Sequence, residues 1–252
     1  MTESRRDKWI HWLEEGVSQE VFTMHLHRLV WDRIQEMAKE NVALGATSSY
    51  MWNWLFDLYA KTQAQAVRRQ ADLDRRAAGL ARIIVELRDH PEEVTQEWFL
   101  AMVENEEHDA EDKRYWRNVY EKEHWGAKFG GGDHFDPAIA EADLSRLQDE
   151  SEKVREYVNK HVAHIDATAI GGQRKRQLPT LREVHEAVDL VGDYFKKYSL
   201  LLRNAGYGDL TPVLQHDWEA IFRLPWIEPK PDPGERMWRE YQERGAAEEE
   251  AP

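Results

Sequence analysis

The sequence contains no cysteine. A disulfide framework, a thiol nucleophile and a thiolate zinc site are therefore excluded together, and the composition fits a reducing compartment. Long apolar runs are missing too. No apolar stretch reaches about 18 residues, the length at which a membrane-spanning helix is read. The opening MTESRRDKWIHWLEEG has no apolar run of signal-peptide length, so the expectation is a soluble, cytoplasmic protein with no membrane partner. Runs of alternating β-branched residues are also absent, and no strand is predicted. What is present is a chain of 252 residues, 41% hydrophobic, with 11 Trp. That suffices for one large domain or two small ones, with a core that needs no covalent ties.

Positive charge is scarce. Lys and Arg number 34 against 48 Asp and Glu, for a net charge of −14. Such a chain is a poor general binder of nucleic acid, because phosphate contacts need basic patches. The charge is uneven, however. Acids dominate residues 104–123 and 228–252, while cations gather in RRQADLDRR (68–76) and GGQRKRQ (171–177). A local basic site on an acidic body is consistent with this pattern.

The periodicity is helical almost throughout. A first helix over residues 5–15 is expected to stop at Gly16. Ser18 is placed to cap a second helix, which carries Val21, Met24, Leu29, Ile34 and Met37 and ends at Gly45. Thr47 or Ser48 then caps a long helix over 48–73. Its first half is apolar nearly all round (Met51, Trp52, Trp54, Leu55, Phe56, Leu58, Tyr59), which predicts burial on several sides. Leu80, Ile83, Ile84 and Leu87 mark a shorter helix closed by His90-Pro91, and Thr95 caps another. Residues 104–123 are helical in their second half. The three glycines of KFGGGDHFDP (128–137) make it a loop. Long helices follow over 137–165 and, after a second loop, over 180–205. A last helix over 211–227 has Pro212 in its first turn. The fold class is all-α: a helical bundle in which the two long helices run antiparallel and pack against 48–73. The expected organisation is an N-terminal helix (1–16), a helical domain (17–227) and a Pro-rich linker with an acidic tail (228–252).

REYVNKHVAHID (155–166) holds the densest chemistry. Val154, Val158, His161 and Ile165 recur at spacings of four, three and four, one stripe of a helix. His161 thus belongs on or near the buried face, and His164 lies near a helix C-terminus, where the dipole favours a cation. Besides a purely structural role, two chemistries fit. His161 and His164, at i,i+3, share a face and with Asp166 suit a metal, with Glu183 and His185 as further ligands by type only. Alternatively, a histidine with a pKa near 6.5 can move a proton from a ribose 2′-OH while a cation steadies the charged transition state. Gln65, Arg69, Asp72 and Arg76 fall on one face of the long helix. They form either a solvated ion-paired surface or a wall of the same site.

YVNKHVAHID resembles the signature of the HEPN superfamily, in particular its branch of AbiU-type abortive-infection proteins. That signature is an Arg, then Asn or Asp, a basic residue, two variable positions and Ala-His, at the end of a long helix. Asn159, Lys160, Ala163, His164 and Asp166 match. Val158 stands where the Arg is expected, and the nearest arginine is Arg155, a turn earlier. At about 100° per residue Arg155 and His164 fall on roughly opposite sides of a regular helix. Arg68 or Arg69, from the neighbouring helix, is the expected replacement.

The resemblance covers most of residues 20–227 and implies an HEPN-like fold. It also implies metal-independent cleavage of RNA by a homodimer, in phage defence or a toxin–antitoxin system, with no cofactor and no metal. His164, Asn159, Lys160, Arg155 and His161 are the catalytic candidates it points to. Arg68, Arg69, Asp72 and the loop cations Arg174, Lys175 and Arg176 are the candidates for contacting nucleic acid. The alternative is a non-catalytic HEPN module that binds a nucleotide or a protein, such as an antitoxin-like partner.

Overall fold

Ser4 begins the first helix by a reciprocal cap. Its hydroxyl accepts from the Asp7 N–H at 3.1 Å, and the Asp7 carboxylate accepts from the Ser4 backbone. The computed structural model describes residues 4–41, 50–103, 110–162 and 178–223. Its first helix, α1 (Arg5–His11), does not stop at Gly16. It continues through a π-helical turn (Trp12–Ser18) into α2 (Gln19–Glu40). A Cβ at position 16 would lie 3.0 Å from the Ala78 carbonyl oxygen, so this glycine serves a close approach. Ser18 has helical dihedrals and caps nothing. α2 ends at Glu40, and the expected stop at Gly45 and the caps at Thr47 and Ser48 lie outside the described residues.

α3 spans Tyr50–Gln70, three residues short of the expected end. Its first half departs from expectation: Tyr50 is 86% exposed, and Trp54, Phe56 and Leu58 are also exposed. Burial begins only at Tyr59 and continues through Gln63, Ala66, Val67 and Gln70. α4 (Leu80–Asp89) buries Leu80, Ile83, Ile84 and Leu87, the stripe read from spacing. A 3₁₀ turn (Pro91–Glu93) and the short α5 (Gln96–Ala101), capped by Thr95, follow. α6 (Ala110–Val119) runs into a second π-helical turn (Tyr120–Phe129).

The glycine loop therefore starts at Gly130, not at 128. Gly130 has φ 112°, and a Cβ there would stand 2.4 Å from that of Asp136. Beyond it the backbone of Phe135 donates to Val94 and that of Gln96 to Asp133, each at 2.9 Å. This single bridge, Thr95 to His134, is the nearest approach to a sheet among the described residues.

α7 (Pro137–Tyr157) is capped by Asp136 and passes into a third π-helical turn (Val158–Val162). α8 (Leu181–Arg203) opens on a reciprocal Thr180–Glu183 cap and closes on Asn204 at φ 52°. α3, α4, α7 and α8 surround one apolar core that includes Val67, Ile84, Leu147, Val154, Val188 and Leu201. The fold class is the all-α bundle expected.

The chain forms two compact units, residues 1–212 and 213–252. In the second, only α9 (Ala220–Arg223) is helical among the described residues. The segment 211–219 is irregular, so the expected helix over 211–227 is not continuous; Pro212 does not sit in a first turn. The linker and tail from 228 lie outside the described residues. No helix among those described is long and apolar enough to cross a membrane.

Three histidines make this bundle sensitive to acid. Burial, the first cause in each case, lowers the pKa of His25, His124 and His185 below the ordinary 6.5. His25 Nε2 and His124 Nδ1 are buried with no hydrogen-bond partner. Asp189 and Asp209 pull His25 upward, while Arg28 and Lys196 push it further down. Glu123 raises His124 and Lys128 lowers it; Asp32 and Asp189 raise His185 and Arg28 lowers it.

The folded protein thus binds fewer protons than the unfolded chain from pH 6.5 down to the depressed values. This contribution is fully present above pH 6.5 and is lost as the pH falls through the folded pKa values. The thermal midpoint, measured by circular dichroism, is expected to be level from pH 8 to 7 and to fall steadily from 6.5 to 5. His25→Leu is expected to reduce that slope.

Candidate functional site

α3 and the end of α7 cross so that Arg68 reaches the π-helical turn carrying the motif. Arg68 Nε donates to Asn159 Oδ1 at 2.7 Å. A second nitrogen of the same guanidinium, Nη1, lies 3.7 Å from Asp72 Oδ2. Asp72 sits in the turn after α3, where its other oxygen accepts from the Asp74 N–H at 3.0 Å. With its oxygen taken by Arg68, exposed Asn159 has side-chain N–H groups that no acceptor among the described residues takes, and these can donate to an acceptor such as a phosphate. A π-helical turn, wider than an α-turn, lets Asn159, Lys160 and His161 share this end while Val154 and Val158 stay buried. It also voids the regular 100° reckoning between Arg155 and residues beyond 157.

The other candidates are placed as follows. Lys160 is exposed and pairs with Glu156 one turn back, at 3.0 Å. His161 is half-buried, its ring 5.9 Å from that of Tyr157. Tyr157 is itself half-buried; burial raises its hydroxyl pKa, against the pull of nearby Lys61. Arg155 folds back along α7. Its Nε donates to Ser151 Oγ at 3.1 Å and its Nη2 to the Gln148 carbonyl at 2.9 Å. Arg69 points away from the motif and pairs with Glu20 of α2. Arg76 pairs with Asp74 at 2.8 Å. The expected face of Gln65, Arg69, Asp72 and Arg76 does not form, because α3 ends at Gln70 and its last two members lie beyond the helix. His164, Asp166, Arg174, Lys175 and Arg176 lie outside the described residues.

Of the ligands suggested by type, Glu183 receives Lys153 Nζ at 2.7 Å and the Thr180 cap. The ammonium, first, and the cap together hold its carboxyl down to about 2. His185 Nε2 lies 2.7 Å from the Tyr59 hydroxyl. Among the described residues no group of three His, Asp or Glu is placed to hold a metal.

Sequence reasoning missed a second polar cluster around that pair. Tyr59 stacks on Trp31, with ring centroids 4.8 Å apart and planes at 9°, and Arg28 bridges α2 to Asp189 at 2.5 Å. Burial pushes the Tyr59 hydroxyl up to about 12, so it stays a proton donor. Residues 59 and 185 are far apart in the chain, and no spacing rule joins them. The same holds for Arg68 and Asn159, although the basic run at 68–76 drew attention to the arginine.

Asn159, Lys160 and His161 lie on a π-helical turn beside Arg68, and one comparison decides the family. The family model HEPN_AbiU2, described as AbiU2, matches residues 6–221. The chain belongs to the AbiU2 family of HEPN proteins. No curated protein and no solved structure matches it. In this HEPN protein the matched span runs from the second residue of α1 through α8, and thus takes in both partners of the Arg68–Asn159 contact.

Proposed function

We propose that this HEPN protein is a metal-independent endoribonuclease of phage defence or of a toxin–antitoxin system, in which Arg68 takes the place of the motif arginine. The observation that carries this reading is the 2.7 Å contact from Arg68 Nε to Asn159 Oδ1. It sets a guanidinium on the asparagine next to Val158, where the signature has its own arginine.

The resemblance assigns His164 as the general base. It accepts the 2′-OH proton as that oxygen attacks the adjacent phosphorus; the P–O5′ bond breaks, and the departing 5′-oxygen takes its proton from solvent water. Arg68 and Lys160 face the charge that builds on the phosphoryl oxygens, and Asn159 orients them. Asp72 holds the guanidinium from behind. The loop cations Arg174 to Arg176 extend the contact along the strand as phosphate partners.

The test is incubation of the full-length protein with labelled RNA in excess EDTA. Wild type is expected to cut, leaving 2′,3′-cyclic phosphate ends. His164→Ala is expected to lose about 100-fold or more. Arg68→Ala is expected to lose a similar factor, with partial recovery in Arg68→Lys, which keeps charge but not the planar fork. No cleavage by wild type, or equal cleavage by all three variants, sinks the reading.

A second reading, a non-catalytic module for a nucleotide or a protein, draws on one feature. The cations at the motif end already face carboxylates: Lys160 faces Glu156, Arg68 faces Asp72, and Lys61 faces Asp57. Under that reading nucleotides raise the thermal midpoint, or an antitoxin-like protein co-purifies, while EDTA-treated protein leaves RNA intact.

A further inference from the structure

α7 meets the end of α3 at two places. One is the contact of Asn159 with Arg68. The other lies further back on α7, where half-buried Gln148 donates a side-chain N–H to the Ala71 carbonyl at 2.8 Å. Ala71 is the residue after α3 and is 1% exposed. Its carbonyl stands past the helix end, where no further turn supplies an N–H, and a buried carbonyl needs a partner from elsewhere in the fold.

That carbonyl belongs to the peptide unit that leads into Asp72. The opposite edge of the same unit, the Asp72 N–H, donates to the Arg69 carbonyl at 3.3 Å. A peptide unit is planar, so bonds at both edges fix its orientation and the direction in which Asp72 projects. Asp72 Oδ2 then stands 3.7 Å from Arg68 Nη1, beyond hydrogen-bond length. The carboxylate is near enough to attract the guanidinium but does not bond to it, while Arg68 Nε goes to Asn159. If the peptide is released, the carboxylate can close to the roughly 2.8 Å of a charge-assisted hydrogen bond and compete with a phosphate for the same N–H groups.

The stretch of α7 that carries Gln148 is itself braced. Ser151 Oγ donates to the Leu147 carbonyl at 2.5 Å. Arg155 donates to Ser151 Oγ at 3.1 Å and to the Gln148 carbonyl at 2.9 Å. The arginine nearest the motif in sequence therefore binds the helix behind the site, one turn and two turns back.

We propose that Gln148 is a positioning residue of the motif site: through the Ala71 carbonyl it sets the Asp72 carboxylate, and through Asp72 the guanidinium of Arg68. Its part in cleavage rests on the reading of Arg68 as the cation of the reaction; its hold on the guanidinium does not. Gln148 acts from behind Arg68, so its loss lowers turnover and leaves binding of the strand, which the other cations share, nearly intact.

Two measurements on the full-length protein test this. The first is the Nε–H signal of Arg68 in a proton–nitrogen correlation spectrum, assigned by its loss in Arg68→Lys. Gln148→Met keeps the length of the side chain and removes the donor. It is expected to shift that signal and to speed its exchange with water about 10-fold or more. The second is RNA cleavage in excess EDTA. There Gln148→Met is expected to lose about 10-fold or more in kcat, with KM changed less than about 2-fold. Made in Asp72→Asn protein, the same substitution is expected to change kcat by less than about 3-fold, because the carboxylate it acts through is gone. Should Gln148→Met lose helix by circular dichroism, Gln148→Glu, which has the shape of glutamine but no N–H for the carbonyl, replaces it with the same expectations. An unmoved Arg68 signal overturns the proposal. So does a wild-type kcat in the folded variant, or a loss that multiplies in full onto that of Asp72→Asn. A wild type that leaves RNA intact sinks the nuclease reading alone, and the Arg68 signal then decides whether Gln148 holds the guanidinium.

Discussion

Replacing Gln70 by alanine is expected to lower the stability of the fold by about 3 kcal/mol, the cost of leaving a buried donor unpaired together with a lost contact to a carboxylate. Gln70 is 3% exposed at the last turn of α3. Its Oε1 accepts from the backbone N–H of Leu80, the first residue of α4, at 3.1 Å. That N–H stands at the first position of α4, where a helix offers no acceptor of its own. Gln70 Nε2 donates to Glu20 Oε2 at 2.5 Å, and the other oxygen of Glu20 takes Arg69. One amide thus ties α2, α3 and α4 together, two residues from Arg68.

Thermal and urea unfolding check the prediction. Gln70→Glu separates the two contacts, because a carboxylate still accepts from Leu80 but repels Glu20. It is expected to be nearly as harmful at pH 7 and to recover part of its stability near pH 5. Under the proposed nuclease reading, RNA cleavage by Gln70→Ala, at a temperature where it is folded, is expected to fall as well, since the turn that holds Arg68 on Asn159 is loosened.

The second large effect lies at Phe99. This ring is fully buried on α5 and touches three others: Trp125 at 5.5 Å, Phe129 at 5.6 Å and Tyr120 at 6.2 Å between centroids. The latter three belong to the π-helical turn Tyr120–Phe129. Trp125 in turn donates its Nε1–H to the Gly132 carbonyl at 2.7 Å, which holds the glycine loop. Phe99→Ala removes the hub of this cluster and is expected to cost about 3–5 kcal/mol. For a unit of this size that corresponds to a fall of roughly 10 °C or more in the thermal midpoint. Phe99→Leu, which keeps most of the volume, is expected to lose less than half as much. Equal midpoints for wild type and Phe99→Ala refute the assignment of this cluster to the core.

Much of the bundle was legible in the sequence. The stripes of α4 and α8, the Thr95 and Thr180 caps and the proline start of α7 are local features, and each formed where spacing and capping chemistry placed it. The errors have a common source. Gly16 and Ser18 read as a break because local propensity counts against glycine in a helix, but packing against Ala78 carried the helix through. The first half of α3 read as buried because its residues are apolar, yet burial depends on what lies opposite, and that half is exposed within the single chain.

The sequence by itself determined the helical class, the family signature from Asn159 to His164 and the absence of an arginine before it. Those follow from residue identity and short-range periodicity, which act within a few turns. Only the tertiary structure decided between the candidate cations. Arg155, Arg68 and Arg69 are alike in type and near the right elements, but their partners are set by how the helices pack, above all by the crossing of α3 over the end of α7. In the folded bundle Arg69 turns to Glu20 of α2 and Arg155 lies along its own helix, while the crossing brings Arg68 to Asn159 across 91 residues of chain.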